Sequence, residues 1–249
     1  MESEKNPPPV EVKGLTRSFG RQRVLDHLDL TVTHAETLAI LGRSGVGKSV
    51  FLKLLIGLQK PDSVTIRIHG EDIAKVDIDR LNKVRKSIGF LFQQAALYDS
   101  LTVEENVAFP LRRHTWLSSV ERRERVRDLL AKVGMENDFR KMPAEISGGI
   151  QKRVGLARAL ALDPAIVLFD EPTTGLDPIT AGEIGDLILQ MKSERNITSI
   201  VVTHDIHGAK SFADRMVMIH EGAILIGGTF EDLQRSPNKF VSRFLQQAA

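Results

Sequence analysis

One glycine-rich segment constrains the fold of this chain more than any other feature. The segment reads Gly42-Arg43-Ser44-Gly45-Val46-Gly47-Lys48-Ser49. It follows the apolar run TLAIL (37–41) and precedes apolar residues at helical spacing (48–57), so it lies between a predicted strand and a predicted helix. G-x-x-x-x-G-K-S in this setting is a P-loop, whose backbone N–H groups and helix start surround phosphate oxygens. We expect Lys48 to reach the β- and γ-phosphates of a nucleoside triphosphate and the Ser49 hydroxyl to ligate Mg²⁺.

The rest of the chain has the pattern of an α/β protein. Short runs rich in β-branched residues predict strands at 10–19, 24–32, 37–41, 64–68, 88–92, 165–169, 198–203, 216–220 and 223–227. Helical periodicity and capping signals predict helices at 48–57, 77–86, 102–110, 126–133, 149–162 and 184–191, with two short helices at the carboxyl end. Near-continuous apolar strands indicate a parallel sheet covered on both faces, and ligands bind beyond the carboxyl ends of such strands. Strand signals are missing between Gln93 and Asp163, which predicts an all-helical insert.

Two acidic residues follow a predicted strand at the edge where the P-loop also lies. Asp170 ends the apolar run 165–169, and Glu171 comes next. An acid at this position commonly holds the metal of a P-loop enzyme. In an extended chain the next side chain points the other way, so we expect Glu171 to activate the attacking water as a general base. The alternative is a polar strand end before a turn.

Two further segments are candidates for the same site. His204 follows the strand 198–203, where an imidazole could bond the γ-phosphate, although a lone histidine here is more often structural. Ser147, Gly148 and Gly149 open a predicted helix and form a second anion-binding helix start, or else a plain serine N-cap. Because the chain has a single P-loop, a second such start suggests a site shared between two copies.

With these motifs in order, the sequence from about Val10 to Leu245 resembles the ATP-binding cassette (ABC) transporter ATPases. The resemblance implies an α/β P-loop NTPase with a RecA-like core, an antiparallel β subdomain and a helical subdomain at about 93–163. Residues 10–249 would form this ABC ATPase domain. Residues 1–9, with three prolines, are expected to be a flexible leader.

The resemblance also implies individual roles. Phe19 would stack on adenine, although it could simply be core, and residues 42–49 would be the Walker A loop. The remaining roles fall to Gln93 (Q-loop, metal contact), Ser147, Gly148 and Gly149 (signature), Asp170 (Walker B, metal), Glu171 (catalytic base), Asp177 (D-loop) and His204 (switch histidine). Asp177 could instead be only an N-cap before Pro178. The signature reads ISGGI where LSGGQ is commoner, and the adjacent Gln94 could replace Gln93 as the metal contact.

The implied cofactors are ATP and Mg²⁺, and the implied partners are protein chains. Two copies would pair head to tail as a homodimer, with multi-span permease subunits docked on the helical insert. The chain itself would sit at the cytoplasmic face of the inner membrane. It has no cysteine and no apolar run of about 18 residues, so disulfides, thiolate zinc sites and its own membrane span are not expected. The net charge of +2 does not suggest a nucleic-acid partner.

Three segments carry information on the subfamily. Residues 91–115, 176–182 and 228–245 are similar to the ATPases of Mla-type phospholipid transporters, which work with MCE-domain lipid-binding proteins. The alternatives are an importer ATPase for amino acids or another small solute, and a soluble ABC protein without a permease. A P-loop kinase would leave the signature and His204 unexplained.

Overall fold

The computed structural model describes residues 7–246, apart from the side chains of residues 63 and 64. Its strands are β1 (Val10–Phe19), β2 (Gln22–Val32), β3 (Thr37–Leu41), β4 (Ser63–Ile68), β5 (Glu71–Asp72), β6 (Ile88–Leu91), β7 (Ile166–Asp170), β8 (Thr198–Thr203), β9 (Arg215–His220) and β10 (Ala223–Gly228). Its α-helices are α1 (Lys48–Leu55), α2 (Ile78–Lys86), α3 (Val103–His114), α4 (Ser119–Lys132), α5 (Gly148–Ala159), α6 (Pro178–Arg195), α7 (Ile206–Phe212), α8 (Phe230–Gln234) and α9 (Lys239–Gln246).

The strands form two sheets. The larger has the order β10-β9-β3-β8-β7-β6, with parallel pairing from β9 to β6 and an antiparallel edge strand β10. The smaller sheet is antiparallel in the order β2-β1-β4-β5. The predicted α/β fold class, with a mainly parallel core sheet and an antiparallel β unit, is therefore confirmed.

The larger sheet separates two hydrophobic cores. Because side chains alternate along a strand, Leu38 and Ile40 of β3 enter one core while Ala39 and Leu41 enter the other. The first core is completed by α1 and the smaller sheet. The second is completed by helices, including α3 to α6. This double coverage explains why the strands read as continuous apolar runs.

Residues 92–165 contain α3, α4, α5 and a short 3-10 turn, and no strand. The predicted helix end near Pro110 is wrong, because α3 continues to His114 with Pro110 inside it. Proline removes one helical hydrogen bond, but Leu111 is buried in the core and holds the next turn in place. The helix predicted at 149–162 is shorter at its end, since α5 stops at Ala159.

The amino-terminal segment corrects another prediction. Residues 7–9 of the expected leader are not loose, because the Pro7 carbonyl lies 3.1 Å from His34 Nε2 and the Pro9 carbonyl accepts a hydrogen bond from the His69 N–H at 3.0 Å. Proline lacks a donor but keeps its carbonyl acceptor, so the segment can still be tied to the smaller sheet. Residues 1–6 of that prediction lie outside the described residues.

Across residues 7–246, no helix has both the length and the apolar character needed to cross a bilayer.

Candidate nucleotide-binding site

The P-loop connects the end of β3 to the start of α1. Gly47 is the N-cap of α1, has φ 100°, and no side chain caps this helix start. A Cβ at Gly47 would lie 2.7 Å from Val24 Cγ1, so the loop requires glycine there. The uncapped N–H groups of a helix start are the donors that a phosphate accepts, which means that this loop fits a phosphate group.

Lys48 holds its amino group at the centre of the loop. The side chain is buried, and Nζ donates to the carbonyl oxygens of Gly42 at 2.7 Å and Arg43 at 3.2 Å. The same nitrogen lies 3.3 Å from Glu171 Oε1. The ammonium group therefore joins the P-loop to the carboxylate expected to act as the base.

Ser49 and Asp170 form the candidate magnesium site. The Ser49 hydroxyl donates to Asp170 Oδ1 at 2.6 Å, and burial raises the pKa of Asp170, an effect that the hydrogen bond from Ser49 opposes. Among residues 7–246 no cluster of three or more His, Cys, Asp or Glu side chains could hold a metal. Mg²⁺ needs no such cluster, because it binds one or two carboxylates together with substrate phosphates and water. The all-oxygen pair beside the P-loop fits this ion.

A cleft of about 410 Å³ brings part of the predicted site together. Its lining includes Phe19, Gln93, Glu171 and the P-loop residues Ser44, Gly45, Gly47, Lys48 and Ser49, whereas Gln94 does not line it. Position therefore favours Gln93 over Gln94 as the metal-contacting glutamine. Phe19 is 44% exposed, so it is not a core residue, and the Arg17 guanidinium lies 4.7 Å from the centre of its ring.

Glu171 is the most connected side chain of the site. Its Oε2 lies 2.8 Å from His204 Nδ1 and accepts from the Thr174 hydroxyl at 2.9 Å. The two side chains have separate partners, but the extended backbone from which the base role of Glu171 was predicted is not present. Glu171 has φ 50°, so the chain is left-handed here and not extended. Such backbone costs about 1–3 kcal/mol and persists only where other contacts hold it.

The signature residues lie elsewhere on the chain. Ser147 is the N-cap of α5 and accepts from the Ile150 N–H at 3.4 Å. Ser147 and Gly148 are exposed, Gly149 is buried, and none of the three lines the cleft. Asp177, also outside the cleft, caps α6 by accepting from the Ile179 and Thr180 N–H groups at 3.1 and 3.0 Å. One chain therefore does not bring these four residues to its own P-loop.

The structure adds two residues that the sequence analysis did not single out, both on α5. Lys152 Nζ donates to the carbonyls of Glu171 at 3.2 Å and Thr174 at 2.7 Å, and burial lowers its pKa. Arg158 donates to the carbonyls of Ala95 at 2.6 Å and Ala96 at 2.7 Å, next to the Q-loop. Helical spacing could have revealed Lys152, since it lies three residues after Gly149 on the buried face of α5.

A family comparison agrees with this arrangement. Residues 25–174, which include the P-loop, Gln93, the signature and Asp170-Glu171, match the family model described as ABC transporter. The chain belongs to the ABC transporter family. ATP and Mg²⁺ are thus the ligands for which the P-loop of this ABC cassette is built.

Two relatives match nearly the whole ABC cassette. The probable ribonucleotide transport ATP-binding protein mkl of Mycobacterium tuberculosis is 44% identical over 236 residues, which cover 95% of this chain and 66% of that protein. The chain thus spans just under two thirds of that relative's length. The intermembrane phospholipid transport system ATP-binding protein MlaF of Haemophilus influenzae is 41% identical over 237 residues, covering 95% of this chain and 90% of that protein.

A solved ABC structure has the same fold. It is the dimeric post-hydrolysis state of the ATP-binding cassette MJ0796 bound to ADP and Pi, with a TM-score of 0.82 and 35% sequence identity. The match covers 88% of this chain and 98% of that chain. It supports the expected P-loop NTPase architecture.

Proposed function

We propose that this chain hydrolyses ATP at sites completed by a second copy of itself and thereby powers phospholipid transport through a separate permease. One observation carries the proposal. The P-loop, Asp170, Glu171 and Gln93 meet in or beside one cleft, whereas the exposed start of α5 at Ser147 lies outside it. A head-to-tail homodimer would place the signature residues of each copy over the P-loop of the other. The dimeric state of the similar cassette MJ0796 supports this arrangement.

The contacts of Glu171 suit it to act as the general base. Its carboxylate would accept a proton from the water that attacks the γ-phosphorus, and ADP would be the leaving group. His204 and Thr174 hold the carboxylate in place at 2.8 and 2.9 Å. Bound Mg²⁺, held by Ser49, Asp170 and Gln93, would neutralise charge that develops on the phosphate oxygens. Lys48 would bind the same oxygens and would then leave Glu171 free.

A groove beside the Q-loop would receive a loop of the permease. It has a volume of about 400 Å³ and lies between β6, α3 and α5. Two aromatic pairs line it: Phe90 with Phe92, whose ring centres are 4.1 Å apart, and Tyr98 with Phe109, at 4.7 Å. Aromatic side chains supply large contact areas in protein interfaces. A permease loop in this groove would touch the chain on both sides of Gln93, and through that residue would sense the nucleotide site.

The phospholipid cargo is inferred from the relatives. MlaF of Haemophilus influenzae is named as part of an intermembrane phospholipid transport system, and its match to this chain covers 90% of its own length. An MCE-domain lipid-binding protein would then be a further partner, and the chain would lie at the cytoplasmic face of the inner membrane. The name of mkl refers to ribonucleotides, but that protein extends well beyond the matched region.

Purification from native membranes tests the proposal. We expect the chain to co-purify with a multi-span permease, with phospholipid, and with ATP-dependent phosphate release. Co-purification with a periplasmic amino-acid binder would favour a small-solute importer instead. Full-rate ATP hydrolysis by a strictly monomeric sample would refute the composite site.

A further inference from the structure

Helix α5 carries more than the signature. On the basis of the proposed dimer, we propose that α5 couples the two nucleotide sites, with Lys152 and Arg158 as the positioning residues. The start of α5 would contact the nucleotide held by the partner's P-loop. Further along the same helix, Lys152 and Arg158 donate hydrogen bonds to backbone carbonyls in two loops of the chain's own site.

Arg158 holds the backbone that follows Gln93. Ala95 and Ala96 have φ 57° and 48°, a left-handed conformation that non-glycine residues rarely adopt. The two guanidinium nitrogens of Arg158 donate to their carbonyl oxygens, one nitrogen to each, at 2.6 and 2.7 Å. Left-handed backbone persists only where its surroundings hold it, and Arg158 is the side chain that joins this turn to α5.

Lys152 makes the corresponding contact on the other catalytic loop. Its buried ammonium donates to the carbonyls of Glu171 and Thr174, which bracket the turn after β7. The backbone of Glu171 is also left-handed, with φ 50°. Helix α5 therefore makes hydrogen bonds to two left-handed segments, one directly after Gln93 and one at Glu171.

The packing of α5 leaves little freedom for it to move without the Q-loop. A Cβ at Gly155 would lie 2.9 Å from Leu91 Cδ1 and 3.2 Å from Ala95 Cβ, so the helix approaches the end of β6 closely. A displacement of the α5 start by the partner's nucleotide would thus pass to Gln93 and Glu171. Occupancy of one site would then speed hydrolysis at the other, which is a coupling between sites.

The test measures phosphate release against ATP concentration for the full-length dimer and for Arg158→Met and Lys152→Met. Wild type should show a Hill coefficient well above 1 and at most about 2 for two sites. In both variants we expect the coefficient to fall to about 1 and kcat to fall roughly tenfold, a size typical of allosteric coupling. The half-saturating ATP concentration should stay within about twofold, because the P-loop keeps its contacts.

Arg153→Met is the matched control. Arg153 lies on the same helix and donates to the Val133 carbonyl at 3.0 Å and to Glu183, away from both catalytic loops. It should keep the wild-type Hill coefficient even if its melting temperature falls. Arg158→Lys retains the charge but not the planar fork, so its cooperativity should be intermediate. If Arg158→Met is too unstable to assay, the Hill coefficient of Arg158→Lys tests the coupling in its place.

Three results would contradict the coupling. They are an unchanged Hill coefficient in the Lys152 and Arg158 variants, an equal loss in Arg153→Met, and non-cooperative turnover by the wild type. A wild-type dimer without any ATP turnover would instead refute the proposed function, and the coupling with it.

Discussion

Replacing Glu171 by glutamine tests the chemistry of the site most directly. Glutamine keeps the shape of the side chain and one acceptor oxygen, so the contacts from His204 and Thr174 can survive. It cannot accept a proton from water. General-base catalysis contributes about 10²–10⁴-fold, so kcat should fall by that factor. At about 1.4 kcal/mol per factor of ten, the transition state loses about 3–5 kcal/mol of stabilisation.

Nucleotide binding should respond in the opposite way. Glu171 Oε1 lies 3.3 Å from Lys48 Nζ and competes with phosphate for this ammonium group. Removing the negative charge therefore leaves ATP affinity unchanged or higher. The dimer should form with ATP and persist, because hydrolysis no longer removes the γ-phosphate that both copies contact.

The assay combines phosphate release with size-exclusion chromatography in the presence of ATP and Mg²⁺. Glu183→Gln is the control, since Glu183 pairs with Arg153 at the surface and its loss should change kcat by less than about twofold. Near-wild-type phosphate release from Glu171→Gln would remove Glu171 from the role of base.

Three other changes test the rest of the site and its support. Lys48→Ala removes the ammonium group that the P-loop presents and should abolish ATP binding; an unchanged affinity in a nucleotide titration would contradict this. Asn106 is fully buried, and Asn106→Ala removes the side-chain amide that donates to three backbone carbonyls of the preceding loop. We expect the free energy of unfolding to fall by about 2–4 kcal/mol and the melting temperature to fall by roughly 5–15 °C. An unchanged melting temperature would show that these hydrogen bonds do not hold the loop. Hydrogen bonds from Thr180 lower the pKa of Asp177, so its ionised form stabilises the fold above the ordinary aspartate pKa and this stabilisation is lost as the pH falls through the lowered value. Asp177→Asn should therefore melt below wild type near about pH 7, and this difference should shrink as the pH falls below the ordinary aspartate pKa of about 3.9; a constant difference would exclude the charge as its cause.

The sequence predicted local features well because their determinants are local. Thr102 and Glu105 form a capping box at the start of α3, where capping signals predicted a helix. The spacing of the P-loop residues identified the phosphate site, because glycines such as Gly47 allow the left-handed backbone that this short segment needs. Pro110 does not end α3 as predicted, because burial of Leu111 in the core outweighs the one helical hydrogen bond that proline removes.

The residues from distant parts of the chain were harder to predict. Asp170 and His204 could be placed at strand ends by pattern, but only the fold shows that Ser49 bonds Asp170 and that His204 bonds Glu171. Helical spacing places Lys152 on the buried face of α5, but no motif marks it as a donor to backbone carbonyls. Its role arises only because α5 packs beside the turn after β7.

The sequence alone therefore determined the fold class, the phosphate loop and the identity of the acidic pair, because each is written in contiguous residues with a fixed period or spacing. The tertiary structure decided which partner each side chain meets and which of two adjacent glutamines lines the cleft. It also decided that the signature stays apart from the P-loop within one chain. These outcomes depend on contacts between residues that lie from 19 to 121 positions apart in the chain, and the packing of the core brings such residues together.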